Sequence, residues 1–202
     1  RGLAGYWRVN GNSKTAISGR WINSPGRTLL NKLKIDLGTD LLPIIAEDLG
    51  VITPDVEKLR KNFKLPGMKI LQFAFDGNED NPYLPKNIEG ENWVVYTGTH
   101  DNSTSFSWWE CLENNAKKRI KDEYKFSENP SWSLIKIGMD TNANLFIAPI
   151  QDILSLDDSS RLNIPGTTKN NWKWKLKRPL GKIEGNISRF SELGNNFGRI
   201  RK

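Results

Sequence analysis

Short apolar runs alternate along the chain with longer amphipathic segments. These runs have the length and nearly continuous hydrophobicity that are typical of strands covered on both faces. They are residues 41–46 (LLPIIA), 68–75 (MKILQFAF), 93–97 (WVVYT) and 145–150 (LFIAPI). The pattern therefore predicts parallel strands at these four places.

Helix-start signals stand between the apolar runs, usually a capping residue followed by proline. The predicted starts are Ser24-Pro25, Thr53-Pro54, Ser103 or Thr104, and Asn129-Pro130. Gly38 is predicted to end the first helix, and the third is predicted to continue to Ile120. Strands that alternate with helices predict βα units, so the fold class is α/β, either a doubly wound sheet or part of a barrel. No internal repeat or linker is visible, which favours one domain over residues 1–202.

Composition excludes several classes of protein. A hydrophobic fraction of 37% in 202 residues is that of a globular chain. The lone Cys111 cannot form an intramolecular disulfide or a cysteine-based zinc cage, which indicates a reducing compartment. The lone His100 excludes metal sites that need two imidazoles, and no apolar run approaches the roughly 18 residues of a membrane span. The first residue is arginine and opens no signal peptide, so an incomplete N-terminus is expected.

The net charge of +7 is concentrated at the C-terminus. Residues 166–202 carry 10 basic and 2 acidic side chains (10 − 2 = +8), and residues 1–165 carry 20 and 21 (20 − 21 = −1). A terminal charge run is more often a solvated face than a nucleic-acid groove, and we interpret it so.

Acidic residues follow two of the predicted strands directly. Glu47-Asp48 comes after residues 41–46, and His100-Asp101 comes shortly after residues 93–97. Any single acid could cap a following helix, but two at equivalent strand ends favour a site, because function in parallel α/β folds lies at the carboxyl ends of strands. Paired carboxylates without metal-binding histidines suit glycosidic chemistry. The eight tryptophans suit a sugar partner as well, although most of them are expected to lie in the core.

Several of these stretches together resemble one family. They are residues 44–77 (IIAEDLGVITPDVEKLRKNFKLPGMKILQFAFDG), 81–85 (NPYLP), 94–102 (VVYTGTHDN), 161–167 (RLNIPGT), 171–176 (NWKWKL) and 5–8 (GYWR). The combination resembles the amylomaltases, or disproportionating enzymes, which are the 4-α-glucanotransferases of glycoside hydrolase family 77. The resemblance extends from one end of the chain to the other.

The resemblance implies the C-terminal part of a (β/α)8 barrel, about strands five to eight, and a retaining double displacement on α-1,4-glucans without metal or cofactor. By similarity, Glu47 is the general acid/base and Asp101 is the carboxylate that holds the distorted sugar in the transition state. His100 is expected to hydrogen-bond the same sugar. Phe73 and Asn171 are weaker subsite candidates, for which core packing and turn formation are the alternatives. The implied location is the cytoplasm, or the plastid stroma if the source is a plant or alga.

The chain departs from the family pattern at two points. The motif THDND reads THDNS here, so Ser103 replaces an acid and alters either a peripheral contact or only a helix cap. The family nucleophile is an aspartate in a run that resembles RIDHFRG, whose last two letters match Arg1-Gly2. It would fall three residues before Arg1, so these 202 residues are expected to lack it and to be inactive alone.

Two other functions stay open from the sequence. A noncatalytic glucan-binding module would keep the tryptophans but would not need acids at two strand ends. A binder of single-stranded nucleic acid would use the basic C-terminal segment, with the rings and charges of residues 172–175 (WKWK) on opposite faces of a strand. We expect neither nucleic acid nor a membrane as a partner.

Overall fold

A computed structural model of the chain describes residues 1–177 and 179–199. The chain divides into two compact units, Arg1–Met68 and Lys69–Lys202. The first contains a β-hairpin and two helices, and the second contains a parallel strand pair and five helices. These elements confirm the predicted α/β class.

The first unit begins with a hairpin. Strand β1 (Gly5–Arg8) pairs antiparallel with strand β2 (Arg20–Asn23). Helix α1 (Gly26–Leu37) follows β2 directly, and its first residue has to be small. A Cβ atom at Gly26 would lie 1.9 Å from the carbonyl oxygen of Leu3, so a side chain there would force the backbone apart.

Both helix starts predicted for the first unit are confirmed, as α1 and as α2 (Pro54–Asn62). Gly38 ends α1 as predicted, at a φ of 60° that a residue with a Cβ atom rarely adopts. Leu30 on α1 is buried and packs with three apolar residues from outside the helix, which are Leu42, Phe63 and Leu65. This small cluster is the core of the unit.

The prediction of a strand over residues 41–46 is wrong. This segment has no regular structure, although the amide of Ala46 donates to the carbonyl oxygen of Pro66 at 2.8 Å. Leu41 and Ile45 are exposed, at 62% and 44%, while Leu42 is buried. Pro43 has no N–H to give to a ladder, which explains in part why an apolar run of this length fails to form a strand.

The three strands β3 (Gly67–Ile70), β4 (Trp93–Tyr96) and β5 (Leu145–Ile147) form one sheet in the order β3-β4-β5. The first two residues of β3 still belong to the first unit. Strands β4 and β5 are parallel, with Val94 opposite Leu145. The strand predicted over residues 68–75 is too long, because a 3-10 turn, Leu71–Phe73, follows β3 at once.

The strand predicted over residues 93–97 is confirmed as β4. The strand predicted over residues 145–150 is confirmed only at its start, because β5 ends at Ile147 and a helix begins at Ile150. Val94 and Val95 of β4 are fully buried, as expected for a strand covered on both faces. Leu145 and Ile147 of β5 are exposed at 50% and 41%.

The second unit contains helices α3 (Ser105–Cys111), α4 (Asn114–Tyr124), α5 (Pro130–Met139), α6 (Ile150–Ile153) and α7 (Glu184–Asn196). The single helix predicted to continue to Ile120 is therefore two helices, separated by the extended residues Leu112 and Glu113. The cap of α3 is Thr104, not Ser103, and its hydroxyl accepts a hydrogen bond from the Ser107 amide. Asn129 caps α5 as predicted.

The basic C-terminal segment is only in part a solvated face. Helix α7 packs Phe190, Leu193 and Phe197 against a cluster that includes Trp132. Arg199 then donates to main-chain carbonyl oxygens at the end of α5, among them that of Met139 at 2.9 Å. Residues 178 and 200–202, which also belong to this charge run, lie outside the described residues. Within the described ranges no helix combines the length and the apolarity needed to cross a membrane.

Candidate active site

The loop after β4 carries two of the predicted site residues. The side-chain oxygen of Asn102 accepts from both the amide and the hydroxyl of Thr99, at 2.9 and 2.8 Å, and thereby closes a tight turn. His100 and Asp101 stand at the tip of this turn with side chains 49% and 48% exposed. The loop therefore presents an imidazole and a carboxylate to solvent side by side.

Asp101 is held by a second loop, residues 161–163. The side-chain amide of Asn163 donates to Asp101 Oδ1 at 2.6 Å, and Arg161 Nη2 donates to the Asp101 carbonyl oxygen at 2.6 Å. The Asn163 main-chain amide also donates to the His100 carbonyl oxygen at 3.2 Å. His100 Nε2 lies 3.3 Å from the same Asp101 Oδ1. Both the main chain and the carboxylate of Asp101 are thus fixed.

An exposed indole lies against His100. The ring centroids of His100 and Trp172 are 4.9 Å apart, and the planes are tilted by 41°. Trp172 is 63% exposed, and its amide donates to the Leu162 carbonyl oxygen at 2.6 Å. The described residues from 172 to 175 do not form the strand that the nucleic-acid hypothesis assumes. The arrangement instead adds a flat apolar surface beside the carboxylate.

Ser103, the residue that departs from the family motif, contacts the same second loop. Its hydroxyl accepts from Arg161 Nη1 at 3.2 Å. Arg161 also lies 3.6 Å from the Asp158 carboxylate, which accepts from the Thr104 amide at 2.8 Å. Of the two consequences expected for Ser103, the structure shows the peripheral contact and not the helix cap.

A buried carboxylate, Asp152, joins the two ends of the loop that carries His100. It is 1% exposed and accepts from the Thr97 hydroxyl at the end of β4, and from the amide and hydroxyl of Ser105 at the start of α3. Burial raises the pKa of the Asp152 carboxyl above its ordinary value of 3.8, although the bonds from Thr97 and Ser105 act in the opposite direction. A cavity of about 270 Å³ lies between this carboxylate and the loop.

The raised pKa of Asp152 leads to a prediction of how the stability of the protein depends on pH. The folded protein holds this proton more tightly than the unfolded chain, so the stability that the group contributes is complete below about pH 3.8 and is lost as the pH rises through the folded pKa. Asp152→Asn cannot ionise, and its amide can donate to a neighbouring hydroxyl. We expect the melting temperature of the variant, relative to wild type, to rise between pH 4 and pH 7. A difference that is constant over this range would contradict the prediction.

The two adjacent acids of the first unit have different environments. Asp48 Oδ2 lies 3.2 Å from Arg60 Nε, with both side chains less than a tenth exposed, and Asp48 Oδ1 accepts from the Met68 amide at 2.7 Å. Glu47 is exposed, and within residues 1–177 and 179–199 it has no ion-pair partner; its Oε1 accepts from the Leu49 amide at 2.7 Å. Asp48 is therefore held in a buried ion pair, whereas the Glu47 carboxylate is exposed to solvent. Glu47 borders a cavity of about 160 Å³.

The two weaker candidates are both in the second unit. Phe73 ends the 3-10 turn after β3, is 42% exposed and meets the ring of Tyr83 edge-on at 5.5 Å. Asn171 accepts from the Ile164 amide and donates to the Thr167 carbonyl oxygen, each at 3.0 Å. The Asn171 side chain thus organises the loop that leads to Trp172.

Sequence reasoning did not single out Asn163, Arg161 or Asp152 as site residues. Asp152 follows the apolar run 145–150 within two positions, so the strand-end rule that selected Glu47 and Asp101 would also have selected it. Asn163 and Arg161 lie in the stretch 161–167 that resembles the family, but they follow no predicted strand and were given no role. They lie 62 and 60 residues from Asp101, in a stretch where spacing and periodicity predict nothing about contacts.

Comparison with known proteins identifies a consistent set of relatives. The family model described as 4-alpha-glucanotransferase matches residues 1–180. The chain is 46% identical over 203 residues to a Synechocystis 4-alpha-glucanotransferase, with 98% of this chain and 39% of that protein covered. It is 42% identical over 204 residues to the chloroplastic/amyloplastic 4-alpha-glucanotransferase of Arabidopsis thaliana, with 99% and 35% covered. The chain thus spans well under half the length of these relatives.

Solved structures agree. An amylomaltase from Streptococcus agalactiae in complex with acarbose superposes with a TM-score of 0.89 at 31% identity, over 99% of this chain and 40% of that one. An amylomaltase from Corynebacterium glutamicum gives a TM-score of 0.70 over 96% of this chain and 34% of that one. Because the C. glutamicum protein is only 15% identical in sequence, this second similarity shows a shared fold and nothing more.

Proposed function

The chain belongs to the 4-alpha-glucanotransferase family, glycoside hydrolase family 77, and we propose that it forms part of an enzyme that transfers α-1,4-glucan segments to the 4-hydroxyl of an acceptor glucan or glucose. The observation that carries this proposal is the exposed Asp101 carboxylate, oriented by Asn163 beside the exposed ring of Trp172. A fixed carboxylate next to an apolar platform suits a sugar ring that becomes positively charged as its bond breaks.

We further propose that the chain supplies about strands five to eight of a (β/α)8 barrel. Residues 41–46 would take the place of the fifth strand, and β3, β4 and β5 those of the sixth, seventh and eighth. The parallel register of β4 and β5 supports this assignment, as does the position of His100 and Asp101 just beyond the carboxyl end of β4. The likeness to the S. agalactiae amylomaltase over 99% of the chain also supports it.

In the proposed mechanism Glu47 serves as general acid and then as general base. It protonates the departing 4-oxygen while a carboxylate nucleophile bonds to the anomeric carbon, and it later removes the proton from the acceptor hydroxyl that displaces that carboxylate. The exposure of Glu47 and its freedom from an ion pair support this role. The neighbouring Asp48 is unsuited to proton transfer because its carboxylate forms a buried ion pair with Arg60.

Asp101 and His100 act on the sugar in this proposal, and the nucleophilic aspartate is supplied from outside these 202 residues. The Asp101 carboxylate bonds hydroxyls of the distorted ring and strengthens those bonds as positive charge develops. His100 bonds the same ring in the ground state. Phe73 and Asn171 are assigned to the edges of the glucan site. We place the enzyme in the cytoplasm, or in the plastid stroma if the source is a plant or alga.

The test of the proposal uses a complete enzyme, in which these 202 residues replace the matching 39% of the Synechocystis 4-alpha-glucanotransferase. With maltotriose this complete enzyme should release glucose and longer maltodextrins. The 202-residue chain alone should not, because no covalent glucosyl intermediate can form without the nucleophile. Disproportionation by a monodisperse monomer of the chain alone would overturn the assignment of the nucleophile. A complete enzyme that folds and binds acarbose but does not transfer glucose would overturn the function.

A noncatalytic glucan-binding module is the second candidate, and three tryptophans favour it. Trp7, Trp21 and Trp172 are exposed at 42%, 55% and 63%, although most tryptophans were expected to be buried. Such a module would retain glucan in a binding assay and would show no turnover within the complete enzyme. A binder of single-stranded nucleic acid would differ from both in losing affinity steeply as salt increases.

A further inference from the structure

We propose that Asn163 is the positioning residue that sets the orientation of the Asp101 carboxylate. This inference rests on the proposed function. The side-chain amide of Asn163 donates to Asp101 Oδ1 at 2.6 Å, whereas His100 Nε2 lies 3.3 Å from the same oxygen. Hydrogen bonds to an ionised acceptor are shorter and stronger than those between neutral groups. One donor therefore dominates the orientation of this carboxylate.

The backbone of Asn163 is anchored independently of its side chain. Its main-chain amide donates to the His100 carbonyl oxygen at 3.2 Å, and its carbonyl oxygen accepts from Arg161 Nε at 2.9 Å. Arg161 in turn donates to the Asp101 carbonyl oxygen. These backbone bonds hold the side-chain amide of Asn163 in position to donate to Asp101. They do not involve the Asn163 side chain, so they remain when that side chain is removed.

The two oxygens of the Asp101 carboxylate are in different situations. Oδ1 receives the Asn163 amide and faces His100, whereas no residue in the described part of the chain donates to Oδ2. With Oδ1 held, rotation about the terminal bond of the side chain is restricted, and Oδ2 is presented to solvent in one direction. A carboxylate that must bond a distorted sugar only in the transition state gains from such an orientation, because no reorganisation is then needed during the reaction.

The experiment compares Asn163→Ala and Asn163→Asp with wild type in the complete enzyme. We expect Asn163→Ala to lower kcat for maltotriose by about 10- to 100-fold and to change KM by less than about 3-fold, because the effect is confined to the transition state. Asn163→Asp keeps the shape of the side chain but, when ionised, cannot donate and repels Asp101. At neutral pH it should lose at least as much activity as Asn163→Ala.

The pH dependence separates positioning from a merely structural role. When the carboxyl introduced by Asn163→Asp is protonated, it can donate to Asp101 Oδ1 as the amide did. The ratio of variant to wild-type kcat should therefore rise as the pH falls, while the corresponding ratio for Asn163→Ala should not. The titratable and charged groups around this contact are His100, Arg161 and Asp158, which are present in the wild type and in both variants.

A matched control is Asn170→Asp, which adds the same charge to the same segment. Within residues 1–177 and 179–199 the side chain that bonds the Asp101 carboxylate is that of Asn163 and not that of Asn170. Asn170→Asp should leave both the rate and its pH profile unchanged. A kcat of Asn163→Ala within about 3-fold of the wild-type value would overturn the proposal. An effect on KM alone would also overturn it, as would a ratio of Asn163→Asp kcat to wild-type kcat that does not change with pH. If Asn163→Ala failed to fold, the isosteric Asn163→Asp would decide the matter alone.

Binding of acarbose keeps this inference distinct from the proposed function. Acarbose has a flattened, unsaturated ring and a basic nitrogen in place of the scissile oxygen, so it resembles the transition state more than maltotriose does. Calorimetry on the complete enzyme should therefore show about tenfold weaker acarbose binding for Asn163→Ala than for wild type, although KM for maltotriose changes little. Absence of turnover in the wild-type complete enzyme would defeat the proposed function, whereas the calorimetric difference does not depend on turnover. Equal acarbose affinity for wild type and Asn163→Ala would defeat the positioning role.

Discussion

Glu47→Gln in the complete enzyme is expected to lower the rate of maltotriose disproportionation by about 10²- to 10⁴-fold or more, since general acid/base catalysis alone contributes roughly this factor. Glutamine keeps the shape of the side chain and its bond from the Leu49 amide, but it has no proton to give to a departing alkoxide. Glucan binding should therefore survive. Initial rates of glucose release, together with acarbose affinity, measure the two quantities separately.

A substrate with a good leaving group sharpens the Glu47 test. A maltosyl fluoride needs no protonation of its leaving group, so Glu47→Gln should release fluoride in a first turnover at close to the wild-type rate, with transfer to the acceptor slowed afterwards. Near-normal disproportionation of maltotriose by Glu47→Gln would remove Glu47 from its role.

The matched comparison for Glu47 is its neighbour in sequence. Asp48→Asn should act on stability, because it removes one charge of the buried pair between Asp48 and Arg60, a change that costs about 3–5 kcal/mol in other proteins. The melting temperature should fall for Asp48→Asn and stay near wild type for Glu47→Gln. The reverse pattern would mean that the two acids had been assigned the wrong way round.

Asp101→Asn should lower kcat and kcat/KM together, by about 10²- to 10³-fold, the range found when one preorganised electrostatic group is removed. The carboxylate is proposed to act on charge that develops only as the glycosidic bond breaks, so ground-state binding of maltotriose should change little. Steady-state kinetics over a range of maltotriose concentrations separates kcat from KM. If Asp101→Asn changed KM alone, the transition-state role would be wrong.

His100 provides the contrast for Asp101. The imidazole is proposed to bond the sugar already in the ground state, so His100→Ala should raise KM more than it lowers kcat. Removal of the ring also exposes the face of Trp172 that it now covers. A His100→Ala variant that lowered kcat while leaving KM unchanged would contradict the ground-state role of the imidazole.

Much of the local structure could be predicted from the sequence because its causes are local. Gly38 ends α1 because a glycine tolerates the left-handed backbone, and Asn129 starts α5 because its side chain caps an amide three residues on. Strand β4 follows from four consecutive bulky residues, two of them fully buried valines. The loop that carries His100 and Asp101 could be located because it follows this strand directly.

The sequence alone determined where α1, α2, α3 and α5 begin, where β4 and the start of β5 lie, and which segments bear acids. Only the tertiary structure decided that residues 41–46 are not a strand, that Asp48 is neutralised by Arg60 while Glu47 is not, and that Asn163 holds a carboxylate 62 positions earlier. The physical reason is the range of the interactions. Caps and strand propensities act over a few residues, whereas the pairing of a strand, the burial of a charge and the partner of a carboxylate depend on chain segments that meet only after folding.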